Sequence, residues 1–597
     1  MAWAIAIAIS CLNFHKGNEP NAIGRIGGGV IMGMASLRRL QLKRHHGQAV
    51  SHTTRRQRIC TVCLKQSHAA ADDAGVSRRG LLRKGLLGTS VGFLHSQAGR
   101  LIVSGDIAEA RGLLDSSSDV YRMAHDVEKR LRQSTVKFQL ENGLTVLVRQ
   151  RRNAPVFSAL TYADVGAYDE KGILGVAHML EHLAFKGSPR QSVNFEKESA
   201  LLEHMDDVFE EARVCTDPRK KGMLLDRLDT MQREASSLAE SNAYGSFLAR
   251  QGAVGLNAET SHDATKYYVS LPNNKLELFF ALEAERFQAP VFRDVYSEKK
   301  VVLEERKMLV EGSPMGTYQE EYAKVSFGNN YSRPVIGTEE DIDSIGRKDV
   351  EKFFREKYGP DALTITIVGS VDPEAVRLYA EKYFGNWVSS VGHTGLCTTE
   401  PLAIPSFSSD DDRCLRGSNS AGPILLRSWY RPGVCDTAAS IPLDIADECL
   451  TGGRHSRLRN ALVMTSKALT VSSYGTFPGE KHPSQMLVYA VPTAVSDLQE
   501  VDQIIMSEID AFCDAGPTQQ ELLKFIKGTQ SAVFGVLQSN AGMASALASY
   551  ENLTTSWENI YKEMYTLVDQ TPRSVADECS KYLTASNSFA GYVNKSM

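Results

Sequence analysis

The chain has 597 residues, with 67 Lys and Arg against 71 Asp and Glu and a formal net charge of −4. That near balance gives no general pull toward nucleic acid or an anionic bilayer, and no apolar run of about 20 residues is present to cross a membrane. Hydrophobic residues make up 42%, so ordinary globular cores are within reach, and the length allows two to four domains of roughly 150 residues each. The 10 cysteines are scattered rather than clustered, which argues against disulfides holding the fold, and Cys60/Cys63 lack the second pair a zinc site would need.

Residues 1–110 read as an organelle address to be left out of the fold. The stretch up to 76 is rich in Lys and Arg, with acids only at Glu19, Asp72 and Asp73. Ser77-Arg78-Arg79-Gly80-Leu81-Leu82 then resembles a twin-arginine export signal, followed by a short apolar run from Gly85 to Leu94. Either the whole is one long transit peptide, or it is a two-part address leading to the chloroplast stroma and then the thylakoid lumen. A mitochondrial destination is the alternative. The Gly27-Gly28-Gly29 run has no Lys-Ser/Thr after it, so it makes no phosphate loop.

From 126 onward, order begins. Glu141-Asn142-Gly143 between two β-patterned runs predicts a hairpin of Val136–Leu140 with Leu144–Arg149. A strand over Phe157–Val165 and a helix from Gly172 to Phe185 follow, the helix stopped by Gly187-Ser188-Pro189. Residues 196–250 read as two charged helices joined at Cys215–Arg219. Gly255–Leu271 reads as extended, Leu276–Phe287 and Tyr296–Glu311 as helices, Leu363–Val368 as a strand and Pro373–Phe384 as a helix. Residues 395–422, rich in Thr, Ser, Pro and Asp, read as a linker. Beyond it come strands Ile424–Trp429 and Gln485–Val491 and helices Ala438–Leu450, Asp497–Cys513, Gln519–Ser539 and Ser574–Tyr582. The expected organisation is α+β: a domain at 126–394, the linker, and a second domain at 423–597.

The first helix carries His178-Met179-Leu180-Glu181-His182. Residues four apart share a helix face, so His178 and His182 can hold one ion while Glu181 takes a proton from a water that the ion activates. The flanks, Gly175-Val176-Ala177 and Leu183-Ala184-Phe185, are small and apolar. Two His and a Glu buried in such a helix need a partner, and a metal supplies one. A catalytic zinc takes three protein ligands and keeps one open position. In Ser297–Met308, Lys300, Glu304, Lys307 and Glu311 form an alternating-charge stripe typical of a solvated face. Glu298, Val301, Glu305 and Met308 form the stripe expected to face inward. Glu305 is therefore the third ligand. Glu298, two turns away at about 10 Å along the axis, is too far to share the ion and is placed to orient a ligand His.

These segments, with Gly255-Leu256-Asn257-Ala258-Glu259-Thr260 and the later Leu450-Thr451-Gly452-Gly453-Arg454-His455-Ser456-Arg457-Leu458, resemble the pitrilysin/insulinase family of zinc metallopeptidases. The resemblance runs from about Val136 to the C-terminus. It implies two tandem related domains of the mitochondrial-processing-peptidase type, each a mixed, mostly antiparallel sheet with helices on one face. It implies one Zn2+ per chain on His178, His182 and Glu305, Glu181 as base and Glu298 as supporting acid. Asn257, Ala258, Glu259 and Thr260 would form an edge strand that pairs with peptide substrates. Four such domains make the working enclosure, so a homodimer, or a heterodimer with a related subunit, is expected. The spacing from His182 to Glu305 is longer than the family's, with the insertion around 200–250. Where the family carries an Arg and a Tyr in its second half, this chain has Val463 and Thr470, so that half reads as non-catalytic. The activity implied is endoproteolysis of unfolded or targeting peptides. A processing-peptidase subunit needing a partner, or a scaffold that kept the fold, are the alternatives.

Overall fold

A computed structural model describes residues 117–595, apart from 240–242, 314, 389–399, 403, 420–421 and 494–496. The expected address segment, Cys60/Cys63 and residues 395–399, 403 and 420–421 of the expected linker lie outside the described residues. The first half runs α1 (Ser117–Arg132), β1 (Thr135–Gln139), β2 (Thr145–Gln150), β3 (Val156–Ala163), α2 (Val176–Leu183), α3 (Phe195–Val214), α4 (Pro218–Ser236), α5 (Ala243–Arg250), β4 (Val254–Thr260), β5 (Thr265–Pro272) and α6 (Leu276–Gln288). It continues with α7 (Val295–Arg306), α8 (Gly316–Ser326), α9 (Glu339–Ser344), α10 (Arg347–Lys357), β6 (Leu363–Gly369) and α11 (Pro373–Phe384). The second half runs β7 (Cys414–Asn419), β8 (Ile424–Arg431), α12 (Thr437–Thr451), β9 (Ala468–Phe477), β10 (Ser484–Pro492), α13 (Leu498–Ala515), α14 (Gln519–Gln538), α15 (Asn540–Leu553), α16 (Asn559–Val568), α17 (Pro572–Tyr582) and β11 (Ser588–Lys595).

Each half builds one sheet, in the orders β1-β2-β6-β3-β5-β4 and β7-β11-β8-β10-β9. Pairing is antiparallel except for β2 with β6 and β7 with β11. The architecture is the expected α+β pair of mixed, mostly antiparallel sheets. The predicted hairpin forms, with Val136 opposite Val148. Gly143 turns it at a φ of +97°, where a side chain would also press on Asp361.

Each sheet has its own helices on one face and borrows cover for the other. Phe157, Ala159 and Ile365 of the first sheet join the core formed by α2, α6 and α11. On the opposite face, Leu160 and Tyr162 pack with Leu131 of α1 and with Met543 and Leu547 of α15, from the second half. The exchange is reciprocal, because Tyr318 and Tyr322 of α8 cover Leu426 and Leu487 of the second sheet. Tyr322 Oη shares a 2.6 Å hydrogen bond with Ser428 Oγ. Full burial of a large apolar side chain contributes roughly 1.5–3 kcal/mol, so the traded helices fasten the halves together. β3, covered on both faces, is buried at every position but Val156.

Several elements differ from the sequence reading. Residues 196–250 hold three helices, α3 to α5, rather than two. The metal-motif helix is shorter than Gly172–Phe185, because Gly175 sits at a φ of +82° and begins it at Val176. Residues 414–419, read as linker, form β7, which lies parallel to β11 at the sheet edge. Backbone pairing suffices for an edge strand, so a polar sequence can fill one. α1 spans the expected domain start at 126. Cys435 is disulfide-bonded, a bond the scattered cysteines did not suggest.

Candidate metal centre

α2 starts under unusual constraint. The fully buried Glu170 caps it: one carboxylate oxygen accepts from Gly175 N at 2.9 Å and the other from Ala177 N at 2.8 Å. Burial pushes the Glu170 carboxyl up to about 8, against the opposing pull of those two N–H groups. A Cβ on Gly175 would lie 2.3 Å from Ile336 O, so the helix begins hard against the 336–337 loop. Nothing in the sequence reading singled out Glu170. Its spacing ahead of Gly175 was the available signal, since an acid near a helix start meets its orphan N–H groups.

From this start, His178 and His182 project on one side. His178 Nε2 lies 3.7 Å from Glu305 Oε2, and His182 Nε2 lies 3.5 Å from the same oxygen. The ligand atoms of the three residues all fall within 4.8 Å of one another. A tetrahedral ion with bonds of about 2.0–2.1 Å would hold its ligand atoms roughly 3.3–3.5 Å apart, so this donor set fits zinc once the side chains draw inward by a fraction of that spacing. Burial, with His182 beside it, pushes His178 down to about 4, which keeps its imidazole neutral. Burial acts the same way on His182, but hydrogen bonding to Glu298 and Glu305 outweighs it and lifts the ring to about 9. The pocket is thus built to hold positive charge. Glu305 meets a burial penalty of its own, overcome by the two histidines, and stays below the usual carboxylate range.

Glu298 lies beside the His178, His182 and Glu305 cluster and contacts His182 from its far side. Its Oε2 is 3.4 Å from His182 Nδ1, and its other oxygen accepts from the Lys186 ammonium. Burial raises its carboxyl, and these two partners lower it by more. The ring nitrogen facing Glu298 is thereby fixed, leaving Nε2 for the ion. His178 Nδ1, by contrast, is buried with no hydrogen-bond partner among the described residues.

The stripe used to choose Glu305 faces differently from the expectation. Val301 and Met308 are 50% and 70% exposed, while Val295, Tyr296, Lys299, Val302 and Arg306 are the buried residues of α7. Glu298 and Glu305 turn toward the two histidines, while Val301 and Met308 of the same stripe face solvent instead of a core. The Lys300, Glu304, Lys307 and Glu311 face is solvated. The helix ends at Arg306, and Lys307–Glu311 is a single π turn.

Glu181 turns to the edge strand. Thr260 Oγ donates to its Oε2 at 2.6 Å. Burial raises the Glu181 carboxyl and the Thr260 bond opposes that rise. β4 is the outermost strand of its sheet. Of its named residues, Asn257 Nδ2 donates to Tyr268 Oη at 3.1 Å, Ala258 is buried, and Glu259 pairs with Lys266 at 3.3 Å. Of the nine singled-out positions, His178, Glu181, His182, Glu298, Glu305 and Thr260 therefore meet in one neighbourhood, and Asn257, Ala258 and Glu259 precede Thr260 on β4. In the second half, Val463 packs against the core and Thr470 lies on β9.

The sequence model described as insulinase (peptidase family M16) matches residues 227–339, and that of the peptidase M16 inactive domain matches residues 344–528. The chain belongs to the M16 insulinase family. The first match includes β4, Glu298 and Glu305 but begins inside α4, so His178 and His182 stand outside it. A probable mitochondrial-processing peptidase subunit beta of Schizosaccharomyces pombe is 25% identical over 49% of this chain and 55% of its own length. The chain thus spans about half of that relative. An uncharacterized zinc protease of Bacillus subtilis is 22% identical over 65% of this chain and 80% of its own length. A protease from Helicobacter pylori superimposes with a TM-score of 0.61 at 19% identity, over 77% of this chain and 99% of that one. At such identity the likeness speaks for the fold, a two-domain M16 fold.

Proposed function

We propose that the chain is a zinc-dependent endopeptidase that hydrolyses unfolded or targeting peptides. The observation that carries this reading is the convergence of His178 Nε2 and His182 Nε2 on one oxygen of Glu305, with the Glu181 carboxylate beside them. His178, His182 and Glu305 would hold one Zn2+, whose Lewis acidity makes water nucleophilic near neutral pH and polarises a peptide carbonyl. Glu181 takes the proton of the attacking water and delivers it to the leaving amine. Thr260 keeps Glu181 aimed. Glu298 holds His182 in one orientation and tautomer. The outer edge of β4, at Asn257–Thr260, pairs with the backbone of an extended peptide and sets it across the site.

A second reading, an active subunit that works with a partner, is favoured by Val463 and Thr470. A half-buried Val and a strand Thr offer no cation or phenol to a substrate, so a second copy or a related subunit would complete the enclosure. The inactive-domain match over 344–528 and the processing-peptidase relatives support this form. Of the two organelles the address segment allows, those same relatives favour the mitochondrion over the chloroplast.

The test is turnover of quenched extended peptides by the purified protein and by Glu181→Gln, with zinc measured on both. Loss of the base should cost roughly 10²–10⁴-fold in kcat while zinc stays stoichiometric. Zinc without turnover in the wild type would move the reading to the partner-requiring subunit. No zinc in either form would leave a scaffold of the same fold.

A further inference from the structure

The α3–α4 hairpin packs on the side of α7 that carries Tyr296 and Lys299, and the polar contacts it makes to that helix gather at its first half, while Asp206 and Arg213 of α3 also pair with Arg347 and Asp349 of α10. Arg293, only 4% exposed, sits just before α7. Its guanidinium grips both oxygens of the buried Glu198 of α3, at 2.5 and 3.0 Å. The same group donates to Lys186 O and Ser188 O, each at 3.0 Å, on the segment leaving α2. Hairpin, α2 exit and α7 entry therefore meet on one side chain with fixed fork geometry.

The next residue, Asp294, holds a φ of +60°, costly for a residue with a side chain. Gln232 Nε2 and Ser236 Oγ of α4 each donate to Asp294 Oδ1 at 2.9 Å and hold it there. Tyr296 Oη donates to the buried Asp206 of α3 at 3.1 Å, and the Lys299 ammonium sits 4.1 Å from the centre of the Phe209 ring. These contacts span 293–299 and bracket Glu298. The other end of α7 is held elsewhere: Arg306 pairs with Glu320 at 2.7 Å and donates to Gly337 O at 2.6 Å. Lys186, whose carbonyl Arg293 fixes, is also the residue whose ammonium donates to Glu298.

We propose that the α3–α4 hairpin is a positioning element for Glu298, and that Glu198 and Arg293 are positioning residues that set the spacing between the α2 exit and the α7 entry. The hairpin thereby closes the His182–Glu298 contact and orients His182 toward the ion. This rests on the metallopeptidase reading above. It places the distal hairpin in the function of the site without contact to substrate.

The experiment uses the full chain. Zinc affinity is measured by chelator competition, with kcat and KM on a quenched peptide and thermal unfolding alongside. Glu198→Gln and Arg293→Lys should each lower zinc affinity and kcat about 10–100-fold, the size seen when partners behind metal ligands are lost, with KM little changed. Glu203→Gln, on the exposed side of α3, should match the wild type. Should the first two variants fail to fold, Gln232→Met with Ser236→Ala decides by the same readouts, since it leaves the Glu198–Arg293 pair intact. Lowered unfolding temperature with wild-type zinc affinity and kcat would overturn the proposal and leave the hairpin as packing alone. A wild type that binds no zinc would instead sink the metallopeptidase reading, and this one with it.

Discussion

Thr260 on β4 donates a 2.6 Å hydrogen bond to the carboxylate of Glu181 on α2. The strand proposed to pair with a peptide and the carboxylate proposed to move protons are thus coupled directly. The bond stabilises the ionised carboxylate, which burial disfavours.

Thr260→Val removes that support and keeps the β-branched shape. The Glu181 carboxyl should then rise further, so the acid limb of kcat/KM should move to higher pH in the variant. A pH–rate profile of both proteins checks it, because that limb reports the free enzyme's base. An unmoved limb with a uniformly lower rate would mean that Thr260 shapes only the strand.

Glu305 and Glu298 should separate by metal content. Glu305→Gln weakens a proposed direct ligand and should leave the protein without zinc after dialysis. Glu298→Gln removes only the support of His182 and should retain zinc with an affinity lower by about 10–100-fold. Metal analysis against a chelator series distinguishes them. Equal loss in both would mean that Glu298 is itself a ligand in the loaded protein.

The clustering of His178, His182 and Glu305 was legible in the sequence as a local pattern, where several elements around it were not. His178, Glu181 and His182 needed only helical periodicity, and Glu305 followed from sorting α7 by face. The inward-facing apolar stripe that pointed to it does not form, because Val301 and Met308 are exposed to solvent. Glu170 was missed because its partners are backbone N–H groups, which leave no side-chain pattern. β9, β11, α15 and α16 were also missed. The Ser-Ser-Tyr-Gly interior of β9 alternates poorly, and its pairing with β10 is interrupted by register shifts. α15 is small and buried nearly all round because it lies against the other half's sheet, a contact that no local window contains.

Two glycines test the start of α2. Gly175 and Gly172 both hold positive φ, +82° and +86°, but a Cβ meets Ile336 O at 2.3 Å on the first and nothing within 4 Å on the second. Alanine at either should cost roughly 1–2 kcal/mol for the left-handed backbone. Gly175→Ala should be destabilised well beyond Gly172→Ala, because the backbone it strikes cannot rotate away. Urea unfolding of both measures the difference. Equal destabilisation would show that the 336–337 loop yields and does not brace the helix.

Lys299 makes stability depend on pH. Burial between Phe209 and Tyr296 pulls its ammonium down to about 7 from an ordinary 10.5. Between those two values the unfolded chain keeps a proton that the folded chain has released. Stability therefore rises with pH through this window and is flat in this group below it. Lys299→Met preserves the apolar stem and abolishes the titration, although it forfeits the bond to Asp343 O at 2.8 Å. Wild-type stability relative to the variant should accordingly improve steadily from neutral pH toward pH 10, read by urea unfolding at several pH values. A constant offset would mean that the ammonium stays charged in the fold, held by the ring faces and the carbonyl strongly enough to cancel its burial.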